Sequence, residues 1–371
     1  MKVPVNEPVI SKEAKKNVNK ALDTGWISSA GKFVEEFEKK FADYLGVKHA
    51  ITTSNGTAAL HTALVALGIT KDDEIIVPAF TMISSIFSIM YIGAKPVFVD
   101  CELETYNIDP KKIEEKITKK TKAIMPVHIY GHSCDMDPII ELTKKYNLYL
   151  IEDAAEVHGG EYKGKKCGTM SDIACFSFYG NKIITTGEGG MVVTNNDELA
   201  SKARKIKDLY HSDEKRFIHK EIGYNYRMTN LQAAIGCGEM EHIDEYIEKK
   251  KRMSNLYDKK LEKIEGIKTP ITKPDVKNVY WMYGILIEEE KFGINRDEFR
   301  EKLKNVGVDT RDFFYSPNDQ PLLTKAYKNL EQFINTNYIS NRGCYLPSGL
   351  AITEEQINYT CQQIKDIKDS V

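Results

Sequence analysis

Short apolar runs separated by helical segments restrict the fold of this chain more than any other feature. Glu74-Ile75-Ile76-Val77, Pro96-Val97-Phe98-Val99, Ala123-Ile124-Met125-Pro126-Val127 and Leu148-Tyr149-Leu150-Ile151-Glu152-Asp153 read as strands, the last apolar enough to be covered on both faces. Such strands joined by helices become parallel neighbours, because a parallel pair needs a long crossover that a helix provides. The expectation is an α/β fold of βαβ units with a mainly parallel central sheet. At 371 residues the chain exceeds the usual size of one core, so a second, smaller domain is expected. The charged stretch from about Glu239 through Lys249-Lys250-Lys251-Arg252 to Lys263 reads as a solvated connecting helix. Beyond it, Tyr280-Trp281-Met282-Tyr283-Gly284-Ile285-Leu286 opens another β-containing region, which places the boundary near residue 245, between a large domain over 1–245 and a small one over 246–371.

Several function classes are excluded by charge and composition. A formal net charge of −2 leaves no electrostatic footprint for nucleic acid. Met1-Lys2-Val3-Pro4-Val5-Asn6-Glu7-Pro8 has no apolar signal-peptide core and no later run reaches the length of a membrane span, so a cytoplasmic protein is expected. The seven cysteines are widely spread without paired metal spacing and read as reduced and structural. His128 and His132 are four apart, but Gly131 interrupts the helix that a zinc pair at that spacing needs, and no metal is expected.

Lys182 carries the chemistry. It lies in Phe178-Tyr179-Gly180-Asn181-Lys182-Ile183-Ile184-Thr185-Thr186-Gly187-Glu188-Gly189-Gly190, between a buried strand ending near Phe178 and a tight turn into Met191-Val192-Val193-Thr194. Packing on both sides would desolvate the amine and favour its neutral, nucleophilic form, as a Schiff-base lysine requires. Asp153 ends a central strand, at the edge where open α/β sheets bind ligands, although capping of a following helix is an equally good use of it. Ser54-Asn55-Gly56-Thr57 runs straight into an Ala/Leu-rich helix, and a helix start suits a phosphate. An amine, a carboxylate and an anion site are what pyridoxal 5'-phosphate (PLP) needs for its aldehyde, its pyridine nitrogen and its phosphate.

Together with Gly25-Trp26-Ile27-Ser28-Ser29, Phe37-Glu38, Val127-His128-Ile129-Tyr130-Gly131, Ile151-Glu152-Asp153-Ala154-Ala155-Glu156, Gly223-Tyr224-Asn225-Tyr226-Arg227-Met228 and Leu346-Pro347-Ser348-Gly349, these segments resemble the DegT/DnrJ/EryC1/StrS nucleotide-sugar aminotransferases almost end to end. The resemblance implies a fold-type-I PLP-dependent transferase, aspartate aminotransferase-like, with a smaller C-terminal α+β domain. It implies that Lys182 binds the cofactor aldehyde and serves as the catalytic residue, that Asp153 partners the ring nitrogen, and that Gly56, Thr57 and Ser177, with the adjoining Ser54 and Asn55, form the phosphate site. Glu156 matches a position beside the ring hydroxyl. Asn225 matches a residue that reaches the phosphate of a neighbouring subunit, so a homodimer with shared active sites is expected. Ser28, Ser29, His158, Arg227 and Tyr315 match weaker candidates for substrate contact.

Two positions depart from the family pattern. Met82, after Pro78-Ala79-Phe80-Thr81, stands where an aromatic ring usually covers the cofactor, and a thioether can pack against that face instead. Ser316 and Asn318 replace the common proline and histidine. The Lys182 segment is most similar to members that take L-glutamate as donor and aminate carbon 4 of GDP-4-keto-6-deoxymannose. Alternatives are a UDP- or dTDP-linked keto-sugar, amination at carbon 3, and a non-catalytic PLP-binding regulatory protein. A sugar dehydratase of the same fold is disfavoured, because those relatives carry histidine at the position of Lys182.

Overall fold

The strands expected from apolar runs form where both faces can be covered. In this computed structural model, which describes residues 1–371 except Asp213, Arg216 and Asn329, they are, in chain order, β1 (His49–Thr53), β2 (Glu74–Pro78), β3 (Lys95–Val99), β4 (Thr121–Ile124), β5 (Tyr149–Asp153), β6 (Glu161–Tyr162) and β7 (Lys165–Lys166). They continue with β8 (Ile173–Ser177), β9 (Gly190–Thr194), β10 (Ile267–Lys268), β11 (Val276–Lys277), β12 (Tyr283–Ile287), β13 (Arg311–Asp312) and β14 (Gly343–Leu346).

Seven of them make one sheet in the order β1-β9-β8-β5-β4-β2-β3. The pairs β2–β3, β2–β4, β4–β5 and β5–β8 are parallel, whereas β9 is antiparallel to both β1 and β8. Alternation along each strand feeds two cores. Ala174, Phe176, Met191 and Val193 pack on one face with Phe37, Phe41 and Phe178, and Ile173, Cys175 and Val192 pack on the other with Leu60, Leu64 and Ile151. The chain is thus α/β with a mainly parallel central sheet.

The reversal at β9 matters for the site. Because β8 and β9 are antiparallel neighbours, residues 178–189 join them at the edge where β8 ends. The carboxyl ends of β1, β5 and β8 lie at that same edge, with Thr53 paired to Gly190 and Asp153 to Cys175.

A smaller antiparallel sheet, β10-β12-β14-β13, follows in sequence, and β11 joins the short hairpin β6–β7. The core of the smaller sheet gathers Tyr257, Tyr283, Ile285, Phe292, Phe299, Leu346 and Ile364. Residues from the N-terminus run beside it, since Val3 bridges to Val308 and the Ser348 amide donates to the Val5 carbonyl at 3.0 Å.

The helix Ile243–Leu261 corrects one expectation. It is not solvated all round: Ile243, Tyr246, Ile247, Lys250, Met253, Ser254, Tyr257 and Leu261 are buried, at the three- and four-residue spacing of one helical face. Lys250, inside the basic run, lies on that face and is only 3% exposed. No helix among the described residues is long and apolar enough to cross a membrane. The seven cysteines are all buried and free.

Candidate active site

A cavity of about 830 Å³ opens where the strand ends converge, and Lys182, Asp153, Glu156, Ser177, Asn55, Gly56, Thr57 and Met82 all line it. These residues come from five separate segments. They meet because β1, β5 and β8 end at one edge of the sheet, the usual ligand edge of an open α/β fold.

The loop bearing Lys182 is pinned at several points. The Phe178 carbonyl accepts from the Thr186 amide and the Thr185 hydroxyl, each at 2.9 Å, and the Lys182 amide donates to the Tyr179 carbonyl at 2.9 Å. Gly187 takes φ +81°, which a side chain would strain, and Gln232 Nε2 donates to the Glu188 carbonyl at 2.7 Å. Held this way, the Lys182 amine has little solvation, and burial pushes it down to about 8 although Glu156 and Asp153 pull it up. An amine in that range is available in its neutral form near physiological pH.

Asp153 is 3% exposed and closes β5. Its Oδ2 accepts from Ser85 Oγ at 2.7 Å and its Oδ1 from the Ala155 amide at 3.2 Å. The helix-cap use of Asp153 falls away, because turns follow β5 and no helix begins there. Burial holds its carboxyl above the ordinary range, with the Ser85 hydrogen bond opposing, so its charged form is favoured only beside a cation that offsets the lost solvation. Its neighbour in sequence, Glu152, faces away and is satisfied by His128 at 3.0 Å and by the Gly168 and Met170 amides at 2.7 and 2.9 Å. Because the Cys134 amide donates to His128 Nδ1 at 3.0 Å, the proton of that ring sits on Nε2, toward Glu152.

Glu156 Oε2 accepts from the Tyr130 amide at 2.8 Å. Tyr130 holds φ 53° and ψ 19°, a left-handed conformation unfavourable for tyrosine, and that turn aims its amide at the carboxylate. Burial raises Glu156 to about 7. Three titratable groups with displaced protonation, Lys182, Asp153 and Glu156, thus share one cavity, as functional sites commonly show.

On the opposite wall Asn55 caps the helix Gly56–Ala66, its Oδ1 accepting from the Ala58 amide at 2.8 Å. Of the first-turn amides, those of Gly56 and Thr57 have no carbonyl within the helix, and both residues line the cavity. Gly56 approaches Ser177 so closely that a Cβ there would stand 2.8 Å from Ser177 Cβ. Glycine is required at this point. Met82, at the start of the helix Ile83–Tyr91, presents a 47% exposed side chain to the cavity.

Other candidates stand apart. Ser54 lies just outside the lining, its amide donating to the Tyr226 carbonyl at 2.7 Å. Arg227 pairs with Asp208 at 2.6 Å, Tyr315 is exposed, and Ser28 and Ser29 lie on the N-terminal side, where the Ser28 carbonyl accepts from the Asn230 amide at 2.6 Å. None of these lines the cavity. His158 is buried against Phe176 and Phe178, at 5.4 and 5.5 Å between ring centroids, and burial with the Lys182 charge pushes it down to about 3, so its ring is neutral. Asn225 is exposed on a segment that bridges to Asp208. At the second departure, Ser316 caps a short turn and Asn318 Nδ2 donates to the Glu331 carbonyl at 3.1 Å.

Trp281, Tyr179, Tyr226, Phe314 and Tyr345 also line the cavity, and Ser85 supports Asp153 from behind. Sequence reading passes over them, since the contacts span from 68 to 100 residues of chain in the cases of Ser85 and Trp281.

The chain is similar to known proteins over nearly its whole length. A GDP-perosamine synthase of Escherichia coli O157:H7 is 43% identical over 364 residues, covering 98% of both chains, and one of Caulobacter vibrioides is 44% identical over 361 residues, covering 96% of both. Among solved structures, S. venezuelae DesV in complex with a ketimine intermediate superposes with a TM-score of 0.91 at 30% identity, over 98% of this chain and all of the other. The model of the DegT/DnrJ/EryC1/StrS aminotransferase family matches residues 8–365, and with such relatives over nearly its whole length the chain belongs to that family.

Proposed function

We propose that this aminotransferase uses PLP to move the amino group of L-glutamate onto carbon 4 of a nucleotide-linked 4-keto-6-deoxy sugar, GDP-4-keto-6-deoxymannose. The observation that carries the reading is the meeting of the Lys182 amine with the buried Asp153 carboxylate and the open start of the helix Gly56–Ala66 in one cavity. The residues suit the cofactor: an amine lowered to about 8 for its aldehyde, a buried carboxylate for its ring nitrogen, and a cradle that glycine alone leaves open for its phosphate. The identity to GDP-perosamine synthases favours the GDP-linked sugar.

Bound there, PLP would provide the electron sink for the pair left on the reacting carbon. Lys182 would hold its aldehyde and, once free, take the proton from the α-carbon of glutamate and later return one to carbon 4 of the sugar. Asp153 would keep the ring nitrogen protonated, and Glu156 would stand at the ring hydroxyl. Asn55, Gly56, Thr57 and Ser177 would hold the phosphate, and Met82 would pack on the ring face. Purified enzyme given glutamate and a panel of nucleotide-linked keto-sugars should make amino sugar fastest from GDP-4-keto-6-deoxymannose. Faster turnover of a UDP- or dTDP-linked sugar would replace that substrate assignment.

The active unit in this reading is a homodimer in which Asn225 reaches the partner's phosphate site, which its exposure and its position outside its own cavity support. The division into large and small domains would fall near residue 245, in the first turn of the helix Ile243–Leu261. Mixing Lys182→Ala chains with Asn225→Ala chains should then restore activity, because a heterodimer regains one complete site. Asn225→Ala alone should be the milder defect, since one phosphate hydrogen bond contributes about 1 to 3 kcal/mol. Mixtures no more active than the sum of the parents, after verified subunit exchange, would leave Asn225 as a residue that orders its own loop.

A further inference from the structure

Trp281 is assigned nothing by the reaction described above, yet its ring lies directly against the Lys182 amine. The Lys182 Nζ stands over the indole at 3.5 Å from the ring centroid. The ring is fixed relative to that lysine's own backbone, because Trp281 Nε1 donates to the Asn181 carbonyl at 2.8 Å. The Trp281 backbone is clamped as well. Gly131, at φ +101°, approaches so closely that a Cβ on it would meet the Trp281 amide nitrogen at 2.8 Å. From the other side Lys250 Nζ donates to the Trp281 carbonyl at 2.8 Å, and also to the Ser348 carbonyl. Burying an amine to hold two carbonyls is unfavourable, and the desolvation pushes Lys250 down to about 7. The chain therefore spends stability to keep this indole in place.

We propose that Trp281 is a positioning residue for the Lys182 amine, offering its ring face as the resting place of the ε-ammonium whenever that amine is not bonded to cofactor, with Lys250 fixing the indole from behind. An aromatic face attracts a desolvated ammonium, so Trp281 opposes the burial that would otherwise strip the proton from Lys182. The resting place keeps the amine within the cavity, near the atoms between which it must carry a proton. The role rests on Lys182 being the reacting lysine, whereas the contact with Trp281 does not.

The titratable groups around the pair are Asp153, Glu156 and His158 beside Lys182, Lys250 behind Trp281, and Tyr91, Tyr130, Tyr179, Glu188, Tyr226 and Tyr345 around the cavity or its wall. Two tryptophans occur in the chain, so Trp26→Phe leaves Trp281 as its sole indole. In the cofactor-free Trp26→Phe protein, indole emission should follow a one-proton transition near pH 8, the range in which burial places the Lys182 amine. That transition should vanish in Trp26→Phe/Lys182→Met. Absence of the transition, or its persistence with Met at position 182, overturns the proposal, persistence meaning that Glu156 or Lys250 is the group observed.

A second measurement follows capture of added PLP by cofactor-free protein as a function of pH. Trp281→Leu should lower the pH midpoint of the capture rate by about one unit, as loss of an ordinary cation–π contact implies, and Trp281→Phe should recover part of the shift. A wild-type midpoint in the Leu variant also overturns the proposal. If the unsubstituted protein captures no PLP at all, the cofactor reading of Lys182 fails while the fluorescence result still decides the contact.

Discussion

Lys182→Ala should lose amino transfer by several orders of magnitude while keeping the fold. One amine carries two duties in the proposed reaction, holding the cofactor aldehyde and moving the proton, so no neighbouring group compensates for its loss. The fold should survive because the loop is held by the Phe178, Tyr179 and Glu188 carbonyls and not by the Lys182 side chain. Asp153 and Glu156 lose the cation that lowers them, but burial already raises both carboxyls, so they can take up a proton in its place. Single-turnover measurement with glutamate, beside a far-ultraviolet circular dichroism spectrum, checks both halves. Borohydride reduction of the loaded wild-type enzyme followed by peptide mapping should place the pyridoxyl label on Lys182. A variant turning over near the wild-type rate, or a label elsewhere, would remove Lys182 from the centre of the chemistry.

Asp153→Asn should slow the half-reaction with glutamate on the order of a hundredfold or more, the size of loss that follows removal of one buried electrostatic partner. Asn retains the shape and can keep one of the contacts to Ser85 Oγ and the Ala155 amide, so β5 should end as before. It has no charge with which to hold a proton on a ring nitrogen. Cofactor binding should persist, and the single-turnover rate should fall. A rate within a few-fold of wild type would reduce Asp153 to the turn it forms with Ala155.

Most of the sheet could be read from the chain because each strand of it is short, apolar and bounded by polar or turn residues. The run Leu148 to Asp153 appears as β5 from Tyr149 on, with its acid at the carboxyl end, and the small residues before Ala58 appear as a capped helix start. Lys250 was within reach of the same reasoning. It falls in step with Ile243, Ile247, Met253 and Tyr257, so helical periodicity placed it on the apolar stripe, while the surrounding basic run concealed it. Trp281 and Ser85 had no such local signal, since each acts on a residue far away in sequence.

By itself, then, the sequence determined the elements, the order in which they occur, and the chemical groups at their ends, because strand burial, helix capping and turn formation depend on neighbours a few residues away. Only the tertiary structure decided that β8 lies parallel beside β5, with β1 next along across β9, so that the Lys182 segment leaves β8 at the edge where Asp153 and the helix Gly56–Ala66 already stand. It also decided which basic residue is buried, which arginine is already paired with Asp208, and which tryptophan lies against the Lys182 amine. Those outcomes depend on desolvation and on contacts between distant segments, and neither exists until the chain has closed around its cores.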